Sequence, residues 1–254
     1  MLPESQKHIF SVYIDQLSSL IKTKEIGDVV VIEDKKIYHR VVQILRLKPG
    51  DKCLFFDSDM YICLLIQELI AKKNIVGIIE QKKSNIIFRP SLTVILPLLK
   101  RDDLDAALYS LTAMGVTAIQ LVITSKVQRK WGGEKEYERL KRVIIAAAEQ
   151  SKNFAFPQLS LPQLFEEIIL PIASSPIVKI YFDPNGDPLL SIIDLIKKYP
   201  SLSILLMIGP EGDLSPQEKE QLKKVKFLFC VLTPTILRAS EAIALGAGIF
   251  RSIL

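Results

Sequence analysis

Ile204-Leu205-Leu206-Met207-Ile208-Gly209-Pro210-Glu211-Gly212-Asp213-Leu214-Ser215-Pro216-Gln217-Glu218 decides how the chain is read. The apolar run Ile204–Ile208 has no polar alternation, as in a strand buried on both faces of a parallel sheet. Gly-Pro-Glu-Gly then breaks the run. Its two glycines allow a positive φ or a close backbone approach to a ligand. Ser215 offers an N-cap, Pro216 suits the first helical position, and Glu218 completes a capping box. Strand, glycine turn and helix start together make a binding edge at the carboxyl end of a sheet. An ordinary strand-to-helix turn has the same local chemistry, so other segments must decide between the two.

Elements on both sides repeat the strand–helix pattern. Upstream, Val178–Phe182 reads as a strand ended by Asp183-Pro184-Asn185-Gly186, and a helix is expected over 189–199. Downstream, a helix is expected over 215–224, a strand over 227–232 and a helix over 239–254. Further back, Leu92–Leu96 is a strand. Leu104, Ala107, Leu108, Leu111 and Met114 fall on one helical face, with Gly115 at the helix end. A strand over 116–123 and a helix over 134–150 follow. Such alternation implies a largely parallel α/β sheet. In the last helix, Gly246 and Gly248 each cost about 1 kcal/mol relative to alanine. They point to close packing, either within the domain or across a dimer.

Residues 1–88 read differently. Strands are expected at 28–33, 52–56, 61–69 and 74–80, with turn chemistry at Pro49-Gly50-Asp51 and Asp57-Ser58-Asp59. Tyr38, Val41, Val42 and Leu45 have helical spacing, which would leave Arg40 and Arg46 on that helix. Many short strands around a small core suggest a compact barrel. The composition changes at Lys82-Lys83-Ser84-Asn85.

The 254 residues are 49% hydrophobic and the mean hydropathy is +0.27, ample for one large domain or two smaller ones. No apolar run approaches the roughly 18 residues that span a bilayer. Met1–His8 lacks a basic region followed by an apolar one, so no signal peptide is expected and a cytoplasmic location is. The three cysteines are scattered and no C-x-x-C occurs, which disfavours disulfide or zinc chemistry. With only His8 and His39, a histidine metal site or a Ser-His-Asp triad is disfavoured, and no metal is expected. The net charge of +5 and pI near 9.0 favour a polyanionic partner. Lys126, Arg129, Lys130 and Trp131 form a basic loop with one aromatic, suited to phosphate contact and base stacking. A solvated charge run with Trp131 tucked into the core is the alternative. Neither G-x-G-x-x-G after a strand nor a P-loop motif occurs, so a dinucleotide or P-loop site is unsupported.

Leu232-Thr233-Pro234-Thr235-Ile236-Leu237-Arg238 is a second strand-to-helix exit. Taken with Gly209–Gly212 and Ser215-x-x-Glu218, it resembles the RsmE family of SPOUT-class ribosomal RNA methyltransferases, which act on N3 of a uridine in the small-subunit (16S) RNA. His39–Asp51 with Phe55-Phe56-Asp57 is similar to that family's N-terminal domain. Met114-Gly115-Val116, Ala146–Ser151 and Pro157 match further signatures, so the resemblance covers essentially the whole chain.

The resemblance implies a PUA-like, RNA-binding β-barrel over 1–88 and a SPOUT-type α/β methyltransferase domain with a trefoil knot over 89–254. It also implies S-adenosylmethionine as cofactor, a homodimer, and free ribosomal RNA or an assembled 30S subunit as partner. Carried over by position, Ile208, Gly209, Glu211, Gly212, Leu232, Thr233, Ile236 and Leu237 would hold the cofactor. Arg238 and Glu241 are the catalytic candidates. Arg238 would stabilise the uracil anion or else pair with Glu241. Glu241 would act as a base or else serve the helix start. Arg40, Arg46, Lys126, Arg129 and Lys130 are the RNA-binding candidates. The chain departs from the family pattern at Ser110, Ala113, Lys126, Lys152-Asn153, Asp213, Thr235 and Ser240-Glu241. A non-catalytic RNA- or ribosome-binding relative that keeps the fold is therefore the competing expectation.

Overall fold

Ile204–Met207 forms a four-residue strand, β10, with every side chain buried. The computed structural model describes residues 8–71, 73–198 and 201–254. The expectations for residues 1–7 and for Tyr199 as a helix end lie outside the described residues. β10 pairs in parallel with β6 (Leu92–Pro97) on one side and β9 (Val178–Pro188) on the other. Beyond these lie β7 (Ala118–Ile123), β8 (Gln158–Leu164) and β11 (Leu228–Val231), completing the order β11-β9-β10-β6-β7-β8. All five pairings are parallel.

The double burial of β10 follows from helices on both faces. Ile204, Leu206 and Ile208 pack with residues of α3 (Arg101–Ala113), α4 (Glu134–Ser151), α6 (Leu189–Lys197) and α8 (Ala239–Ile253). Leu205 and Met207 face the other way, toward α5 (Phe165–Ile172) and α7 (Pro216–Lys224). The period of two along the strand feeds two separate cores. Leu104, Ala107, Leu108 and Leu111 of α3 are buried as expected, and Gly115 ends that helix at φ +75°.

Three features differ from the sequence reading. β8 and α5 were not anticipated. Asp183–Gly186 does not end its strand: β9 continues to Pro188 and bulges against β11, whose register jumps from Tyr181↔Phe229 to Asp187↔Cys230. The turn chemistry is real, since Asp183 Oδ1 accepts the Asn185 N–H at 2.8 Å. It builds the bulge instead of a turn. At Gly186 a Cβ would lie 2.4 Å from the Cys230 nitrogen, so only glycine lets β9 rejoin β11.

The other compact unit comprises residues up to Ile86 together with Ala148–Ala155. It contains β1 (Phe10–Tyr13), α1 (Leu17–Leu20), β2 (Val29–Glu33), α2 (Lys35–His39), β3 (Lys52–Phe56), β4 (Met60–Ile70) and β5 (Asn74–Ser84). The sheet order is β1-β3-β4-β5-β2, antiparallel except for β1–β3. β1 was not anticipated, and β4 and β5 run eleven residues each, longer than expected. Register shifts in β4–β5 bend the sheet over a core that includes Val12, Ile32, Phe55, Ile62 and Ile75. The expected helix near Tyr38–Leu47 is α2 followed by a π-helical turn, Arg40–Ile44. Asp34 caps α2 by accepting the Lys36 and Ile37 N–H groups.

Candidate functional site

The chain leaves the sheet at the carboxyl ends of β10, β11 and β6, and β9 bulges at the same edge. These three exits and the bulge surround one cleft of about 760 Å³. β10 lies between β9 and β6, where strand order reverses, the place at which open α/β sheets bind ligands. Ile208, Gly209 and Glu211 line the cleft from the β10 exit. Leu232, Thr233, Ile236, Leu237 and Arg238 line it from the β11 exit. Thus the two segments singled out in the sequence meet across a shared cavity. Gly212 and Glu241 are not among the lining residues.

The β10 exit is wound tightly. A Cβ on Gly209 would stand 2.9 Å from both Asp213 Oδ1 and the Tyr181 hydroxyl. Asp213 has φ +60°, a conformation glycine adopts more readily. Its side chain compensates: Oδ1 accepts the Tyr181 hydroxyl at 2.6 Å and the Leu214 N–H at 2.7 Å. Lys219 lies 2.5 Å from Asp213 Oδ2 and 2.7 Å from Asp183 Oδ2. Burial resists ionisation of Asp213, but Lys219 and Tyr181 prevail and hold its carboxyl below the usual range. Burial, then the bond to Asp213, pushes the Tyr181 phenol up, so it remains a donor.

The expected capping box is present. Ser215 Oγ accepts the Glu218 N–H at 3.2 Å, and Glu218 Oε2 accepts the Ser215 N–H at 2.8 Å. Glu218 also accepts the Ser125 N–H and hydroxyl at 2.7 and 2.9 Å, joining the loop after β7 to this exit. Burial opposes its charge, but these bonds outweigh it and lower its pKa.

Glu211 Oε1 accepts the Lys100 N–H at 3.1 Å, so it ties the β10 exit to the start of α3. Glu241 Oε2 accepts the Arg238 N–H at 3.2 Å, at the first turn of α8. Among the described residues no ion pair joins their side chains, and the Arg238 side chain is exposed. Lys126, expected to face RNA, donates to the carbonyls of Gly212 at 2.9 Å and Leu214 at 3.2 Å. Arg129 pairs with Glu136 at 2.7 Å, and Lys130 is exposed. Trp131 packs partly buried against the core instead of standing free in the loop. In the other unit, Arg40 pairs with Glu149, which also accepts the Tyr13 N–H at 2.9 Å, and Arg46 is exposed at φ +56°.

Lys100, Asp103, Phe182 and Asp183 also line the cleft and were not singled out from sequence. The carboxyl-edge rule applied to β6 and β9 points to them. Within the chain, no described hydrogen bond uses the backbone N–H of Glu211, Gly212, Thr235 or Ile236. Such donors must be met by solvent or a ligand.

A family model described as an RNA methyltransferase domain matches residues 88–250. Ribosomal RNA small subunit methyltransferase E of Mycobacterium bovis is 24% identical over 243 residues, covering 93% of this chain and 88% of that protein. Ribosomal RNA small subunit methyltransferase E 2 of Borreliella burgdorferi is 26% identical over 235 residues, covering 90% and 93%. The crystal structure of the Neisseria gonorrhoeae small subunit methyltransferase E bound to S-adenosyl methionine superposes with a TM-score of 0.80 at 24% identity, covering 96% of this chain and 98% of that one. A Legionella pneumophila protein in complex with the same cofactor gives 0.79 at 19% identity, covering 96% and 98%. The likeness in fold thus runs through nearly the entire chain.

Proposed function

Because the chain belongs to the RNA methyltransferase domain family, we propose that it transfers a methyl group from S-adenosylmethionine to N3 of one uridine in 16S ribosomal RNA. The observation that carries this reading is the meeting of the β10 and β11 exits across one cleft. The cleft fits the cofactor on its own chemistry. It has a partly apolar lining that includes Ile208, Leu232 and Leu237, with backbone donors at both exits that no described residue uses. Ile208, Gly209, Glu211, Gly212, Leu232, Thr233, Ile236 and Leu237 would hold it, chiefly through the main chain. S-adenosylmethionine supplies the methyl group as an electrophile on a sulfonium.

The protein's part is to position the uracil and stabilise the charge it develops. Loss of the N3 proton spreads negative charge onto the flanking carbonyl oxygens. Arg238, exposed at the cleft and without an ion-pair partner among the described residues, is the cation for that charge. Glu241 serves it by fixing the Arg238 backbone. Lys130 and Arg46 are exposed cations for the RNA backbone, and Lys126, Arg129 and Arg40 contribute where their internal partners allow.

The same reading assigns residues 1–88 to a PUA-like RNA-binding barrel, in keeping with the bent five-stranded sheet, and residues 89–254 to a SPOUT domain with a trefoil knot. The knot is what the family resemblance implies for this domain. A homodimer is consistent with apolar side chains left outside: Ile236 is 86% exposed and Leu245 39%. Ribosomal RNA, free or in the 30S subunit, sets the workplace as the cytoplasm. Calorimetric titration with S-adenosylmethionine should give saturable binding. Primer extension on 16S RNA from cells lacking the protein should lose one stop, restored by complementation. Binding without such a stop would leave a non-catalytic relative.

A further inference from the structure

The cleft holds four carboxylates besides its two cations, Lys100 and Arg238. Two are committed elsewhere: Asp183 and Asp213 share the Lys219 ammonium. Glu211 accepts the Lys100 N–H through one oxygen and is exposed to water. Asp103, in the first turn of α3, is half-buried. Among the described residues, the one partner of its carboxylate is the Ser240 hydroxyl, which donates to Oδ1 at 3.0 Å. Ser240 is itself 8% exposed and sits in the first turn of α8, two residues beyond Arg238. The hydroxyl fixes one oxygen of Asp103 and leaves Oδ2 without a partner among the described residues. Glu241 is a poor competitor for proton transfer, because it does not line the cleft and is occupied by a backbone N–H.

Resting on the uridine-N3 reading above, we propose that Asp103 is the catalytic base that removes the imide proton. The N3–H bond breaks and its proton passes to Oδ2 of Asp103. The electron pair left on N3 forms the bond to the methyl carbon, and the pair of the sulfur–methyl bond returns to sulfur. Asp103 thereby becomes neutral, Arg238 faces the transient charge on the carbonyl oxygens, and Ser240 orients the acceptor.

The test compares Asp103→Asn and Ser240→Ala with wild type on 16S RNA substrate made with uridine or with 5-fluorouridine. Fluorine at C5 withdraws electrons and makes the N3 proton more acidic, so a missing base matters less. Asp103→Asn should lower kcat by about 10²–10⁴-fold on uridine RNA. Its deficit should shrink markedly on the fluorinated RNA, while its calorimetric Kd for S-adenosylmethionine stays at the wild-type value. Ser240→Ala keeps the carboxylate, and its smaller kcat deficit should shrink in the same way. It decides the matter alone if Asp103→Asn does not fold. Wild-type kcat in the asparagine variant, or equal deficits on both RNAs, would overturn the assignment. Nucleoside mass spectrometry of the wild-type product keeps the two readings apart. A methyl group elsewhere than uridine N3 refutes the underlying function, whereas N3-methyluridine made at full rate without Asp103 refutes this inference alone.

Discussion

Replacing Lys219 with methionine should loosen the methyltransferase unit, and the size of the effect follows from who loses a partner. Lys219 bridges Asp183, whose side chain is 5% exposed, and Asp213, whose side chain is 48% exposed. The Asp213 share is close to a surface pair, worth about 0–1 kcal/mol. The Asp183 share is a charge-assisted bond to a buried carboxylate, for which about 1.5–3 kcal/mol is usual. Lys219 is itself 23% exposed, so water can partly replace it, and about 2–3 kcal/mol for the whole substitution is reasonable. Urea unfolding followed by Trp131 fluorescence reports this unit, because Trp131 is the single tryptophan and packs against its core. The double-mutant cycle with Asp183→Asn should return the larger coupling and that with Asp213→Asn the smaller. A Lys219→Met midpoint equal to wild type, or a larger coupling to Asp213 than to Asp183, would refute the reasoning.

The pH dependence carries a second check. Asp213 has a depressed folded pKa, so its share is present above the unfolded carboxyl value of about 3.9 and is lost as pH falls through the folded value. Lys219 is opposed by burial but raised by Asp183 and Asp213, so its share is present below about 10.4 and is lost as pH rises through the folded value. The stability gap between wild type and Lys219→Met should therefore be flat between these limits and close at both ends.

The two glycines of α8 should separate cleanly. A Cβ at Gly246 would fall 2.2 Å from Phe182 Cζ in the cleft wall, so Gly246→Ala should cost about 1–3 kcal/mol in urea unfolding. At Gly248 the nearest atom is Met114 Sδ at 3.4 Å, so Gly248→Ala should be tolerated and gain up to about 1 kcal/mol from helix propensity. Lys126→Ala, which frees the carbonyls of Gly212 and Leu214, should raise the calorimetric Kd for S-adenosylmethionine. Lys130→Ala should leave that Kd alone and reduce the salt slope of RNA binding by about 1. Arg238→Gln should lower kcat by about 10²-fold or more with little change in cofactor Kd, as expected for a group that meets charge only in the transition state.

What could be read from the sequence, and what could not, divides along the range of the interaction that decides it. β10 and the cap of α7 were legible because their determinants are neighbours: an unbroken apolar run, and Ser215 and Glu218 three residues apart. β8 was hidden because it is a half-exposed edge strand without alternation, and Pro162 falls at the irregularity where its register with β7 shifts. α5 was hidden because Pro171 lies inside it. Lys126 reads as a free surface cation, yet its partners lie 86 and 88 residues away, and nothing near it in sequence announces them. Asp103 reads as an acid in the first turn of a helix, where a carboxylate usually serves the helix dipole. Its place in the cleft comes from Ser240, 137 residues on, which α8 brings against α3. The β10 exit proposed to hold a ligand through its backbone was thus legible from glycine chemistry, and the β11 exit with Arg238 from the family resemblance, whereas Asp103, proposed as the base, needed the topology that brings α8 against α3.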